Sequence, residues 1–238
     1  MLETTRFDAA PPLRVTGHAP PMRPADEARV EALWQRALAA SSGHLFNGRI
    51  AVARKVSPHG IEVEIDEYRR LFAARADPEL RARLDLQPLA VSGLLRCAGG
   101  IVFGHRGSGN TEAVGQWELA PSGGLDAATL LPGLDLDPVA QLLVELDEEL
   151  GLSASAIASA TPFCAVTDRS TGVIDIGIAL EAPTLSAGAV VAAHAGGGSH
   201  EYVELRVMKP ADLGRFIAAN HSDIVPVSLA LLAARGLA

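Results

Sequence analysis

Three carboxylates, Glu145, Glu148 and Glu149, stand in the run Val144-Glu145-Leu146-Asp147-Glu148-Glu149-Leu150-Gly151-Leu152. On a helix each residue advances by about 100°, so the three fall within one sector of about 100°. Like charges this close repel one another unless a cation lies among them, and an all-oxygen donor set of this density selects Mg2+ or Mn2+. The surroundings sharpen the point. Between Arg106 and Arg169 a stretch of 62 residues has no Lys or Arg but carries ten carboxylates. Such a stretch repels nucleic acid and attracts a cation. The plain alternative for any acidic cluster is a solvated helix face.

Two other patterns carry less. Gly104-His105-Arg106-Gly107-Ser108-Gly109-Asn110-Thr111 approaches a phosphate-binding P-loop, but Asn110 stands where the loop needs Lys and a strand, not a helix, follows. Glu112 replaces the third glycine of a dinucleotide fingerprint, so this segment reads as a hairpin loop. His194 and His200 lie near one another without zinc-ligand spacing and read as loop histidines.

The carboxylates need a helix and a sheet to hold them. A helix beginning at Asp137-Pro138 has an N-cap followed by proline, and Gly151 suits the residue that ends it. Val139, Leu142, Leu143, Leu146 and Leu150 fill the neighbouring sector and would pack on a sheet. Strands are predicted over 49–56, 60–65, 89–96, 100–105, 117–120, 157–167, 173–180 and 202–208. Helices are predicted near 25–40, over 68–84, and over 212–219 and 224–234. Residues 1–24, with five prolines, read as an arm, and 193–199 as a glycine-rich loop. Strands mixed with few, unevenly placed helices point to an α/β chain with a mixed sheet rather than a regular βαβ array.

Composition agrees. The chain has 238 residues, 48% of them hydrophobic and only 4% aromatic, so its core is aliphatic. No apolar run reaches the roughly 18 residues of a membrane span, and the first 24 residues lack a secretory apolar stretch. Cys97 and Cys164 have no pairing pattern, so a reducing cytoplasmic location is expected. The net charge of −8 is uneven: residues 1–88 carry 13 Lys or Arg against 12 carboxylates, while residues 89–238 carry 7 against 16.

The acidic helix resembles the box of the Nudix hydrolases, G-x5-E-x7-R-E-U-x-E-E-x-G-U with U aliphatic. Glu145, Leu146, Glu148, Glu149, Gly151 and Leu152 match its tail, and Trp117-Glu118-Leu119 with Pro121-Ser122-Gly123-Gly124 is similar to the strand and glycine turn leading into it. Two features differ. Val144 replaces the family's Arg, and about six extra residues without a loop Glu lie between Gly124 and Glu145. In the family that Arg and that Glu look like a structural ion pair, and losing both leaves no unpaired buried charge. Leu130, Leu131 and Leu134 are expected to pack on Val144 instead.

A second resemblance concerns residues before the box. Trp34, Leu45-Phe46-Asn47-Gly48-Arg49, Tyr68-Arg69-Arg70-Leu71 and Leu89-Ala90-Val91-Ser92-Gly93 look like the N-terminal extension of the Nudix group that hydrolyses UDP-glucose and other UDP-sugars. Together the resemblances imply a Nudix-type α/β/α sandwich with a mixed sheet over 89–238 and a small α/β extension over 1–88. They imply a hydrolase of a nucleoside diphosphate linked to another moiety, with Mg2+ or Mn2+ on Glu145, Glu148 and Glu149 as metal-binding and catalytic residues. Arg49, Arg69, Gly123, Gly124 and Glu201 are the expected substrate contacts; Glu145, Glu201 and Glu204 are the options for a general base. Neither nucleic acid nor membrane is an expected partner. The competing reading is a Nudix-fold nucleotide-binding or regulatory module that has lost turnover.

Overall fold

Aliphatic side chains that alternate along the strands bury both faces of a central sheet. The computed structural model describes residues 1–41, 45–109, 113–129 and 135–238. Strands β1 (Leu2–Arg6) and β2 (Leu13–His18) lead into helix α1 (Pro24–Ala40). The hairpin of β3 (Arg49–Ser57) and β4 (Gly60–Glu67) precedes α2 (Tyr68–Ala76) and α3 (Pro78–Leu84). Then come β5 (Leu89–Cys97), β6 (Gly100–Arg106), β7 (Trp117–Leu119), β8 (Ser122–Gly124), β9 (Asp135–Leu136) and α4 (Pro138–Leu150). The chain finishes with β10 (Ser159–Asp168), β11 (Ile174–Ala182), α5 (Ala187–Gly197), β12 (Tyr202–Met208), α6 (Pro210–Asn220) and α7 (Pro226–Ala234).

The large sheet has the order β1-β10-β11-β5-β6-β12, with β7 added to β6 and β8 to β5. It is mixed: β11 runs parallel to β5, and β6 antiparallel to β12. A smaller sheet has the order β3-β4-β2-β9, with β2 and β4 parallel. One face of the large sheet, through Val91, Leu95, Val102 and Ile176, shares a core with Leu142, Leu146 and Leu150 of α4, Val190 of α5 and the smaller sheet. The opposite face, through Leu94, Ile101 and Phe103, packs on α6 and α7. Helices thus cover both faces, the α/β/α layering expected from the sequence. Each fully buried leucine of α4 contributes about 2 kcal/mol, which fixes the rotation of the helix on the sheet.

Three segments differ from expectation. The proline-rich start forms two strands. β1 pairs with β10, from Leu2 opposite Asp168 to Arg6 opposite Cys164, and β2 pairs with β4 and β9, so both the first strand and the strand just before α4 cross the line drawn at residue 88. Residues 193–197 belong to α5, which Ser186 caps by accepting from Ala189 N–H (3.2 Å). The stretch 68–84 is two helices, because Pro78 favours an extended Asp77; Asp77 then caps α3, accepting from Glu79 N–H (3.0 Å) and Leu80 N–H (3.1 Å). β6 and β7 form the antiparallel hairpin read from residues 104–111, and Asn110, Thr111 and Glu112 lie outside the described residues. No helix among the described residues is long and apolar enough to cross a membrane.

Candidate active site

Helix α4 is fixed at both ends by local chemistry. Asp137 accepts from Val139 N–H (2.9 Å) and Ala140 N–H (3.0 Å), and Pro138 occupies the first turn, where its missing N–H costs nothing. Gly151 ends the helix at φ 63°, and a Cβ there would lie 2.7 Å from the carbonyl oxygen of Ala193. Between these ends the rotation grades the carboxylates. Glu149 sits next to the leucine stripe and is 2% exposed, Glu145 is half-buried, and Glu148, farthest round, is exposed.

Strand β8 passes under Glu145. A Cβ at Gly123 would collide with the Glu145 carboxyl group and lie 2.8 Å from its Cγ, so only glycine lets this backbone and that side chain share the space. Gly124 has open space where a Cβ would be. Ser122 donates its N–H to Glu149 Oε2 (2.9 Å), and Gln141 Nε2 donates to Glu145 Oε1 (2.9 Å).

A second set of polar groups meets Glu149 from the sheet. Tyr202, 3% exposed at the head of β12, donates its hydroxyl to Glu118 Oε1 (2.9 Å) and lies 3.3 Å from Glu149 Oε2. Glu118, on β7 and 7% exposed, is ion-paired with Arg106 of β6 and accepts from the Ser122 hydroxyl (3.3 Å). His194 spans the main chains of the same two elements, with Nδ1 2.9 Å from the Glu149 carbonyl and Nε2 3.1 Å from that of Tyr202. This histidine belongs to α5, not to a loop.

Burial dominates the electrostatics. It pushes the Glu145 carboxyl up to about 7; the Gln141 hydrogen bond opposes this, and the charges of Glu148, Glu201 and Asp126 add to it. It raises Glu149 well above the usual carboxylate range, against the Ser122 hydrogen bond and with help from Glu201, Glu118 and Glu145. Tyr202 is raised likewise, by burial and then by the charges of Glu118 and Glu149. For Arg106 desolvation works downward, and the attraction of Glu118 outweighs it.

The other sequence-predicted residues divide. Glu201 is exposed, and its charge acts on both Glu145 and Glu149. Glu204 is exposed on β12 and held by Arg206 (2.7 Å). Arg49 is exposed at the head of β3, beside the Ile50–Asp126 bridge that joins this strand to the segment after β8. The Arg69 guanidinium is engaged by Glu67, Glu27 (2.6 Å) and Glu31 (3.4 Å). Trp34 stands edge-on to Tyr68 and Phe72, with ring centres 6.1 and 5.7 Å away, and Asn47 caps α2 by accepting from Arg69 N–H (2.9 Å). Val144 is 46% exposed rather than packed, because its position on the helix lies beyond Glu148, away from the leucines; Leu130, Leu131 and Leu134 lie outside the described residues.

No protein-family model matches this chain, and no curated protein matches it. Among solved structures it is similar to DR0079 from Deinococcus radiodurans, at 14% identity and a TM-score of 0.49, covering 77% of this chain and 96% of that one. It is also similar to RenU, a Nudix hydrolase from M. smegmatis, at 17% identity and a TM-score of 0.40 over 60% and 79% of the two chains. A third likeness is to a bifunctional NMN adenylyltransferase/ADP ribose pyrophosphatase from Francisella tularensis, at 15% identity and a TM-score of 0.43 over 70% and 47%.

The donor set suits a hard divalent cation. Glu145 and Glu149 are desolvated, the charge of Glu145 raises the proton affinity of Glu149, and neither is paired with a Lys or Arg among the described residues. Each accepts from a neutral donor through one oxygen, Glu145 Oε1 from Gln141 and Glu149 Oε2 from Ser122, so no basic side chain offsets the cost of its burial and a cation at the second oxygen would favour the ionised form. Glu148 turns outward, and no three His, Cys, Asp or Glu side chains among the described residues are already gathered around one point.

Sequence reasoning gave Glu118, Arg106 and Tyr202 no role. A signal existed for two of them. Glu118 lies between Trp117 and Leu119 on a short apolar strand, so a buried charge was due a partner, and Arg106 is the last cation before the 62-residue stretch without one.

Proposed function

We propose that this protein is a Nudix-type hydrolase that cleaves the P–O–P bond of a nucleoside diphosphate linked to another moiety. In this reading Glu145, Glu148 and Glu149 hold Mg2+ or Mn2+, and the preferred substrate is a nucleotide-sugar such as UDP-glucose. One observation carries it: two desolvated carboxylates with no basic partner among the described residues, each accepting through one oxygen from a neutral donor, on a helix whose residues match the tail of the Nudix box. Two anionic phosphates repel an attacking water, and a bound divalent ion supplies the charge neutralisation and the acidified water that hydrolysis needs. The chain's own groups do the rest. Gly123 and Gln141 fix where the Glu145 carboxyl lies, Ser122 fixes Glu149, and Glu201 at the rim orients the ligand or accepts a proton from water.

The extension gives the reading its sugar-nucleotide side. Arg49, exposed beside the segment that follows β8, is the cation proposed to meet the ligand beyond the metal, and Gly124 leaves backbone open to it. Arg69 contributes by anchoring the 47–49 segment through Asn47 and Glu67. Both cysteines are free thiols, which suits work in the cytoplasm. The outward Glu148 and the absence of a gathered triad among the described residues favour the second reading, a nucleotide-binding module without turnover.

The deciding experiment incubates the full chain with UDP-glucose, ADP-ribose, ADP-glucose and dATP, with Mg2+ or Mn2+, and reads the product nucleotides. Release of UMP from UDP-glucose, lost in Glu149→Gln, supports the hydrolase. Nucleotide binding without any product supports the module, and a clear dATP preference overturns the nucleotide-sugar assignment.

A further inference from the structure

The Tyr202 hydroxyl joins the buried ion pair of the sheet to the acidic helix, beside Ser122, whose hydroxyl and N–H reach the same two carboxylates. On one side it donates to Glu118 Oε1 (2.9 Å), whose charge Arg106 balances; on the other it lies 3.3 Å from Glu149 Oε2. All three side chains of the chain Glu118–Tyr202–Glu149 are buried, where an unmade hydrogen bond is costly and a made one is strongly directional. The ring is placed with little freedom. It lies over Gly104, where a Cβ would stand 2.6 Å from its Cε1 and 2.7 Å from its Cγ, so β6 gives up a side chain to seat it. The His194 ring of α5 is seated between the main-chain carbonyls of Glu149 and Tyr202.

Ser122 N–H donates to Glu149 Oε2, and the phenol, whose one proton is shared between Glu118 Oε1 (2.9 Å) and Glu149 (3.3 Å), meets the same Oε2. A carboxyl held through one oxygen from two directions cannot turn, and its Oε1 then points one way. We propose that Tyr202 is a positioning residue: through its hydroxyl, the Arg106–Glu118 pair of the sheet orients Glu149 so that Oε1 is presented to a divalent cation. Polar groups behind a ligating carboxylate commonly change cation affinity by roughly 10–100-fold when removed. The brace reaches Glu149 from β6, β7 and β12, whereas Val144, where the box has Arg, is exposed. This inference rests on the reading of Glu145 and Glu149 as cation ligands.

The test is calorimetric titration of Mn2+ into the full-length metal-free protein, with melting temperatures recorded alongside, for the wild type, Tyr202→Phe, Glu118→Gln and Glu149→Gln. Phenylalanine keeps the ring over Gly104 and removes only the hydroxyl. The expected result is wild-type binding, its loss in Glu149→Gln, and about tenfold weaker binding in Tyr202→Phe with a melting temperature close to wild type. If the wild type turns over substrate, excess Mn2+ should restore the rate of Tyr202→Phe, which a loss of fold would not allow. Glu118→Gln breaks the brace at its other end and should weaken binding in the same direction, which keeps the question answerable if Tyr202→Phe does not fold. Wild-type affinity in Tyr202→Phe, or in Glu118→Gln where that is the variant that folds, together with loss in Glu149→Gln, overturns the positioning role and leaves the metal site standing. No Mn2+ binding by the wild type overturns both.

Discussion

Gly123 and Glu145 occupy the same space from two sides: the backbone of β8 lies where a Cβ on Gly123 would strike the Glu145 carboxyl. The obstructing atoms are the far end of a side chain that can swing away, so Gly123→Ala should cost stability only at the low end of the about 1–3 kcal/mol typical of overpacking. The carboxyl itself must leave its hydrogen bond with Gln141. The expected outcome is a near-native melting curve with Mn2+ binding reduced at least severalfold, and unchanged Mn2+ binding would show that Glu145 is not a ligand.

Val144→Arg separates the two accounts of the missing family arginine. A packed Val144 would make the charge costly, whereas the observed 46% exposure lets the guanidinium reach water. The change should shift stability by no more than about 0.5 kcal/mol in urea unfolding. A loss of several kcal/mol would mean that residues 130–134 cover this position.

Asn47 serves α2 from outside the helix. Its side chain accepts from Arg69 N–H and donates to Glu67 Oε2 (3.2 Å), tying the segment before β3 to the end of β4. Asn47→Ala should cost about 1 kcal/mol, the usual worth of a helix N-cap. Denaturant unfolding reads this directly, and the activity of the folded fraction should fall only if Arg49 moves with the segment.

Burial pushes the Cys164 thiol from an ordinary 9.0 up to about 12. At pH 8 it is therefore a neutral, inaccessible thiol, and a disulfide reagent should modify it only after guanidine unfolding. The sign for stability follows from proton binding. Above about pH 9 the unfolded chain releases this proton while the native state keeps it, so stability falls as pH rises through the 9–12 window. Cys164→Ala should flatten that alkaline loss in a melting series.

Asp26 joins α1 to α3 by accepting from Arg23 Nε (2.8 Å) and Arg83 Nε (2.9 Å). The Arg23 hydrogen bond is the largest cause of its lowered pKa; burial opposes it, and the charges of Arg23 and Arg83 reinforce it. A carboxylate depressed below its ordinary 3.8 stabilises the native state above that pH and ceases to do so as pH falls through the native value. Asp26→Asn should therefore melt earlier than the wild type at pH 7, with the gap closing below about pH 4. A gap of constant size across that range would show that the aspartate acts through shape and not charge.

What depends on neighbours along the chain was readable from the residues alone. Asp137, Pro138 and Gly151 delimit α4 because capping is a matter of two to four consecutive residues, and the 3.6-residue period places Glu149, Glu145 and Glu148 in order from core to solvent. Alternation of Ile61, Val63 and Ile65 with Glu62 and Glu64 located β4 for the same reason. Segments whose order comes from distant partners were not legible. β1 and β2 are short, carry few apolar residues and are flanked by prolines, and they become strands by pairing with β10, β4 and β9. α5 is mostly alanine and glycine, with no apolar stripe to signal a period, and it forms where Ser186 caps it and Val190 finds the core. The Arg106–Glu118–Tyr202–Glu149 connection was invisible for a related reason. Its members lie on β6, β7, β12 and α4, and Tyr202 stands 84 residues from Glu118. No local periodicity encodes a hydrogen bond across that distance, and only the order of strands in the large sheet brings the phenol between the two carboxylates.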